Sequence, residues 1–145
     1  MNIDIRTYQP ADLHDLLYAW ESASQLAHPF MPPSFFEQER YNIPHVYLPN
    51  TDTWVVCVEG KVEGFIALMD NEVGGFFVDP TFHGQGLGQA LMNKACTLHD
   101  SLVVDVFKDN KMGCRFYQQY GFTLIEEKTW DETGDAMLRL GWAAS

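Results

Sequence analysis

Three glycines alternate at Gly84, Gly86 and Gly88, inside the stretch Val78-Asp79-Pro80-Thr81-Phe82-His83-Gly84-Gln85-Gly86-Leu87-Gly88-Gln89-Ala90-Leu91. The run follows an apolar, strand-like segment and opens a helical one. Glycine tolerates positive φ and lets a ligand come close to the backbone. The first amides of a helix have no partner within it, and the helix dipole adds partial positive charge there. Such a loop is an anion site, and a pyrophosphate is its natural guest. Two phosphate loops are excluded by the letters. A Walker loop needs Gly-Lys followed by Ser or Thr, whereas Gly88 is followed by Gln89 and Ala90. A dinucleotide fingerprint needs a third glycine where Gln89 stands. A plain tight turn with a helix cap is the remaining alternative, and it needs fewer glycines.

A second constellation lies downstream, in Asp105-Val106-Phe107-Lys108-Asp109-Asn110-Lys111-Met112-Gly113-Cys114-Arg115-Phe116-Tyr117-Gln118-Gln119-Tyr120-Gly121-Phe122. Asn110, Gly113 and Tyr117 are spaced by three and four, so a helix would carry them on one stripe. An amide, a gap and a phenol make a binding wall. Glycine inside a helix costs about 1 kcal/mol against alanine, and close approach of a ligand would account for Gly113. The alternative is that Asn110 only caps the helix and Tyr117 packs with its hydroxyl at the surface.

The elements around these segments read as follows. Ile3, Ile5 and Thr7 alternate with polar residues as a first strand. Pro10 begins a helix with Leu13, Leu16, Leu17 and Trp20 at helical spacing, running to about residue 27. Ser34, with Glu37 three residues on, is expected to cap a second helix that fades before Pro49. Strands follow at 53–59, 62–69 and 73–78, separated by turns at Glu59-Gly60-Lys61 and Asp70-Asn71. The helix after the glycine loop carries Leu87, Ala90, Leu91, Ala95 and Leu98. Residues 102–107 form an apolar strand patterned for burial on both faces. A short helix over 112–120 stops at Gly121, and a hairpin of 122–130 and 136–142 closes the chain. The order is βααβββαβαββ, an α/β fold with a mixed sheet, in a single domain over 1–145.

The chain has 145 residues, 46% hydrophobic and 20% charged, which supports a packed core. Its formal net charge of −11 argues against general nucleic-acid binding. It favours cationic partners through long-range attraction, although solubility alone would account for it. Lys94, Lys108, Lys111 and Arg115 fall close together in sequence and are expected to form a basic rim for an anion. Cys57, Cys96 and Cys114 show no paired spacing, so neither a disulfide scaffold nor a metal site is expected, and reduced thiols fit the cytoplasm. No apolar signal core opens the chain, and no apolar run reaches the roughly 18 residues of a membrane span.

The glycine loop resembles the acetyl-coenzyme A loop of the GNAT superfamily of N-acetyltransferases, Q/R-x-x-G-x-G/A after a V-x-P strand end. Val78, Pro80, Gly86 and Gly88 match, and His83 stands where Gln or Arg is usual. The second segment is similar to the family's N-x-x-A-x-x-F-Y-x-x-x-G-F. There Asn110, Phe116, Tyr117, Gly121 and Phe122 match and Gly113 replaces the alanine. The His28-Pro29-Phe30 loop and the Trp130-Asp131-Glu132-Thr133 hairpin are similar to small bacterial members, some of which act on protein lysines.

The resemblance implies a splayed central sheet holding acetyl-CoA, and an acetyl transfer to a primary amine by direct attack. The backbone of Phe76, Phe77 and Val78 would hold the pantetheine arm. His83, Gly84, Gln85, Gly86, Leu87, Gly88 and Gln89 would hold the pyrophosphate, with Asn110 and Tyr117 on the opposite wall. Tyr117 would protonate the leaving thiolate. Asp105 stands five residues before Asn110, where some members carry a glutamate base; His28, Glu72, Asp70 and ordered water compete for that role. Acceptor groups would lie near Trp20, His28, Phe30, Phe35 and Phe36, with Glu21 nearby to hold an ammonium ion. The implied partners are acetyl-CoA and an amine, with no nucleic acid, membrane or metal; a homodimer is compatible. A non-catalytic acyl-CoA-binding module is the alternative reading, sharing the loop but not the need for Tyr117.

Overall fold

The computed structural model describes residues 1–145. The strands are β1 (Ile3–Thr7), β2 (Asp52–Val58), β3 (Lys61–Met69), β4 (Glu72–Val78), β5 (Ser101–Phe107), β6 (Thr123–Thr129) and β7 (Ala136–Ala143). The helices are α1 (Leu13–Ala27), α2 (Pro33–Asn42), α3 (Leu87–Leu98) and α4 (Lys111–Tyr120). Short hairpins join β2, β3 and β4. Glu59 and Gly60 both take positive φ, 51° and 83°, which suits a two-residue turn between right-twisted strands.

The second helix departs from expectation at its start. Ser34 lies inside the first turn; α2 opens at Pro33 with Pro32 as N-cap, and no side chain caps it. Proline's fixed φ already matches the helix, and its missing N–H needs no cap there. After Asn42 the chain continues through a π-helical turn, Ile43–Tyr47, and a 3-10 turn, Leu48–Asn50.

All seven strands form one sheet in the order β1-β2-β3-β4-β5-β7-β6. Every pairing is antiparallel except β4 with β5. The sheet divides two cores. On one face Leu87, Leu91, Met92 and Ala95 of α3 pack on Val56, Ile66, Leu102 and Val104. On the other, Leu16 and Trp20 of α1 pack on Val55, Cys57, Phe65 and Ala67. Alternate strand residues serve opposite faces, as the period of two requires. β5 is not sealed on both faces as its apolar run suggests. Leu102, Val104 and Val106 are buried, while Val103 and Asp105 on the other face remain half-buried.

The parallel pair positions the site. β4 and β5 register only at Glu72↔Val103 and Val73↔Val104. Beyond these residues each strand stays bonded to its outer neighbour: β4 pairs with β3 as far as Val78, and β5 with β7 as far as Phe107. The sheet therefore opens as a wedge toward the C-terminal ends of β4 and β5. On the β5-facing edge, the main-chain polar groups of residues 74–78 have no strand partner.

Candidate active site

The glycine loop lies at the mouth of the wedge. Gly86 is the N-cap of α3, with φ +86°, and Gly84 has φ +78°. A Cβ on either would meet nothing within 4 Å, so the loop is shaped by backbone conformation and leaves open space beside it. Ala90 N–H finds the Gly86 carbonyl at 3.0 Å, leaving the earlier amides of the first turn without a helical partner. Gly88 serves packing: a Cβ there would lie 3.3 Å from Phe76 and 3.4 Å from Phe116.

A cavity of about 490 Å³ runs between β4, this loop and α4. Phe76, Phe77 and Val78 line it from β4, and Asn110 and Tyr117 from α4's side. His83, Gly84, Gly86, Leu87, Gly88 and Gln89 line it from the loop. Gln85 does not line it; that side chain is exposed and its Nε2 donates to the Thr81 carbonyl at 3.3 Å. His83 Nε2 donates to the Val78 carbonyl at 2.8 Å, so the ring braces the loop against the end of β4. Ala23 and Ala27 of α1, with Phe82, Met112, Gly113, Phe116, Gln119 and Tyr120, complete the wall. Sequence patterning gives no signal for the alanines, because only tertiary packing brings α1 beside the loop.

The expected basic rim is absent from this wall, which contains no Lys or Arg. Lys94 lies over the Trp54 ring at 4.3 Å, and Lys108 pairs with Glu127 at 3.3 Å. Lys111 and Arg115 are exposed on α4. Anion binding here falls to backbone amides and the α3 dipole. An open cavity, free loop amides and an unpaired strand edge fit a long ligand with a pyrophosphate and an amide-bearing arm, as coenzyme A has.

Asn110 caps α4, its Oδ1 accepting from Gly113 N–H at 3.0 Å. A Cβ at Gly113 would stand 2.5 Å from Asn110 Nδ2. The capping amide folding over Gly113 is a second reason for its small size, beside its place on the cavity wall. Tyr117 is 6% exposed and packs between Phe76, Phe116 and Phe122, with ring centroids 6.1, 5.7 and 5.3 Å away. Burial raises the phenol's pKa well above its ordinary value, and Cys114 adds to the rise. The group stays protonated at any physiological pH.

A second cavity of about 270 Å³ occupies the other side of the wedge. It shares Phe76, Phe77, Asn110 and Tyr117 with the first. Its walls are aromatic: His28 meets Phe35 at 5.9 Å and Phe107 at 5.4 Å, and Phe35 meets Trp130 at 5.9 Å. Phe30 packs edge-on against His28 and Phe107, both at 5.8 Å, but is not itself on the wall. Burial pushes the His28 imidazole down to about 4, and its Nδ1 shares a hydrogen bond with Ser24 Oγ at 2.9 Å. Asp105 lines the cavity and also has partners: Lys128 Nζ donates to it at 3.0 Å and Arg139 at 3.1 Å. Glu21 does not reach the cavity and pairs with Arg40, whose guanidinium also lies 5.6 Å from the Trp20 ring. Glu39 and Tyr47 line the cavity from α2 and the π-helical turn. Neither stood out in the sequence, where no local pattern points to Glu39 or Tyr47.

No three His, Cys, Asp or Glu side chains come close enough to hold a metal ion. No helix is long and apolar enough to cross a membrane.

Comparison with known proteins agrees with this architecture. Residues 49–124 match the family model for the acetyltransferase (GNAT) domain. The chain is 30% identical over 130 residues to the peptidyl-lysine N-acetyltransferase YiaC of Escherichia coli K12, covering 89% of each chain. Among solved structures, it is similar to the apo form of YjaB from Escherichia coli, with TM-score 0.85, 23% identity and full coverage of both chains. It is also similar to the PaiA N-acetyltransferase of Thermoplasma acidophilum in complex with coenzyme A, with TM-score 0.80, 17% identity and 99% coverage of both. The chain belongs to the GNAT acetyltransferase family. Its fold is the mixed, splayed sheet of that family, and it is an acetyl-CoA-dependent acyltransferase.

Proposed function

We propose that residues 1–145 act as one N-acetyltransferase domain that acetylates lysine side chains of proteins or peptides. The reading rests on the meeting of two cavities at Tyr117, Asn110, Phe76 and Phe77. The loop-side cavity would take acetyl-CoA, the main chain of residues 76–78 contacting the pantetheine arm and the loop amides the pyrophosphate. The aromatic cavity would take the acceptor. Its rings can hold an alkylammonium by cation–π contact, and its carboxylates attract positive charge. The similarity to YiaC, a peptidyl-lysine N-acetyltransferase by name, supports the choice of lysine.

Bound acetyl-CoA supplies an acyl group on a good leaving thiolate. The chain's contribution is to hold a neutral amine in line with it and to deliver a proton to sulfur. Tyr117 is the proton donor in this reading. Its burial keeps it protonated, and its position on both walls brings it to the junction. A thiol-release assay with acetyl-CoA tests the function. A peptide carrying one free lysine and a blocked N-terminus should release thiol at a rate proportional to enzyme. The same peptide with its lysine blocked should release none. Release from neither peptide, nor from polyamines or free amino acids, would leave a non-catalytic acyl-CoA-binding module as the better account.

A further inference from the structure

The acceptor-side cavity holds two carboxylates in opposite circumstances. Asp105 is bonded by Lys128 and Arg139, so two cations already share its oxygens. Glu39 has no cationic partner. Its neighbour Arg40 is turned to Glu21, and Glu39 Oε1 accepts only the Tyr47 hydroxyl, at 3.3 Å. The charged and titratable groups facing Glu39 are Tyr47 from the π-helical turn and Glu132 from the β6–β7 loop. His28, Asp105 and Tyr117 line the same cavity from the C-cap of α1, from β5 and from α4. A carboxylate on an aromatic wall, held by one neutral donor and opposed by a like charge, attracts a proton or an ammonium ion.

We propose that Glu39 is the base that removes the proton from the acceptor ammonium, directly or through one water; this rests on the reading of the second cavity as the acceptor site. An N–H bond of the ammonium breaks as an O–H bond forms on Glu39. The freed lone pair makes the new C–N bond while the C–S bond breaks, and its electron pair leaves on sulfur. Sulfur takes the Tyr117 proton, and the surplus proton on nitrogen restores Tyr117. One proton leaves the enzyme per turnover, from Glu39. Burial raises the Glu39 carboxyl above its ordinary value, with the Tyr47 hydrogen bond pulling it back and the Glu132 charge adding to the rise. That direction strengthens a base, because a general base works best with a pKa near the working pH. His28 is the weaker candidate, since its imidazole is pushed down to about 4 and its Nδ1 is engaged by Ser24.

The test uses the full chain, acetyl-CoA and a peptide with one free lysine. Glu39→Gln keeps the shape and the acceptor for Tyr47. At neutral pH it should lower kcat/KM by about 10²–10⁴-fold, the usual worth of a positioned base. The loss should shrink as pH approaches the lysine pKa of about 10.4, because the amine then arrives already neutral. Tyr47→Phe removes a donor to the ionised carboxylate and should shift the acid limb of the profile to higher pH. A readout without turnover is the carboxyl ¹³C titration of Glu39 in the free protein, which should move upward in Tyr47→Phe. An equal loss at all pH values, a rise in KM alone, or turnover within about threefold of the parent at neutral pH would overturn the proposal. An unmoved ¹³C midpoint in Tyr47→Phe would overturn it too. A parent that acetylates no amine overturns the acceptor-site reading and this role together; an active parent matched by Glu39→Gln overturns this role alone.

Discussion

Tyr117 shows how environment decides what a side chain can do. A phenol at its ordinary pKa of about 10 lies within two units of a thiol near 8.5, and donation to a thiolate is mildly uphill. Burial raises the Tyr117 phenol further, which taken alone widens the gap. A thiolate forming beside it would leave the same dry surroundings with a charge, so its own proton affinity rises for the same reason. The difference between donor and acceptor therefore stays small while both absolute values climb. Tyr117→Phe removes the hydroxyl and keeps the ring that packs with Phe76, Phe116 and Phe122. Turnover should fall by about 10²–10⁴-fold, with acetyl-CoA affinity almost unchanged, as expected of a cofactor held mainly by the backbone of residues 76–78 and of the loop. Rates within about threefold of the parent, at saturating acetyl-CoA and peptide, would return Tyr117 to a packing role.

At the scale of elements, the loop and the start of α3 are one device. Gly86 at φ +86° turns the chain so that α3 points its free amides at the cavity. Gly86→Val should raise the Kd for acetyl-CoA, read by isothermal titration, by at least tenfold, because a β-branched residue is strained at positive φ and its side chain would enter the ligand's space. Unchanged affinity would mean that the loop amides do not hold the cofactor.

The element order, both turns and the loop were legible in the sequence, because each is written in local letters: alternating apolar residues, Asp70-Asn71, Gly84 to Gly88. The wedge was legible only through the family resemblance, which implies a splayed sheet; no local letters mark it, because it depends on how far β4 and β5 keep register, a long-range property. Glu39 was invisible for a related reason. Its role comes from α2 docking beside Trp130 of the closing hairpin, which Phe35 touches at 5.9 Å, and no residue near Glu39 in sequence marks that contact. Glu21 misled for the converse reason: proximity in sequence to Trp20 could not reveal that Arg40 would claim it.

Over the whole molecule, the two cavities lie on either side of one wedge and share the wall formed by Phe76, Phe77, Asn110 and Tyr117. Acetyl-CoA and amine can then be bound at once, and direct transfer needs no covalent stop on the protein. The three thiols agree with this. Burial raises the pKa values of Cys57 and Cys114, which leaves them poor nucleophiles, and Cys96 shares its hydrogen bond with the Tyr120 hydroxyl at 3.3 Å. Initial-rate kinetics with acetyl-CoA and the lysine peptide, with intact-protein mass spectrometry after incubation with acetyl-CoA alone, tests the claim most directly. The account predicts intersecting double-reciprocal lines and an unmodified chain. Parallel lines together with an acetyl group retained on a cysteine, the marks of a ping-pong route, would contradict it.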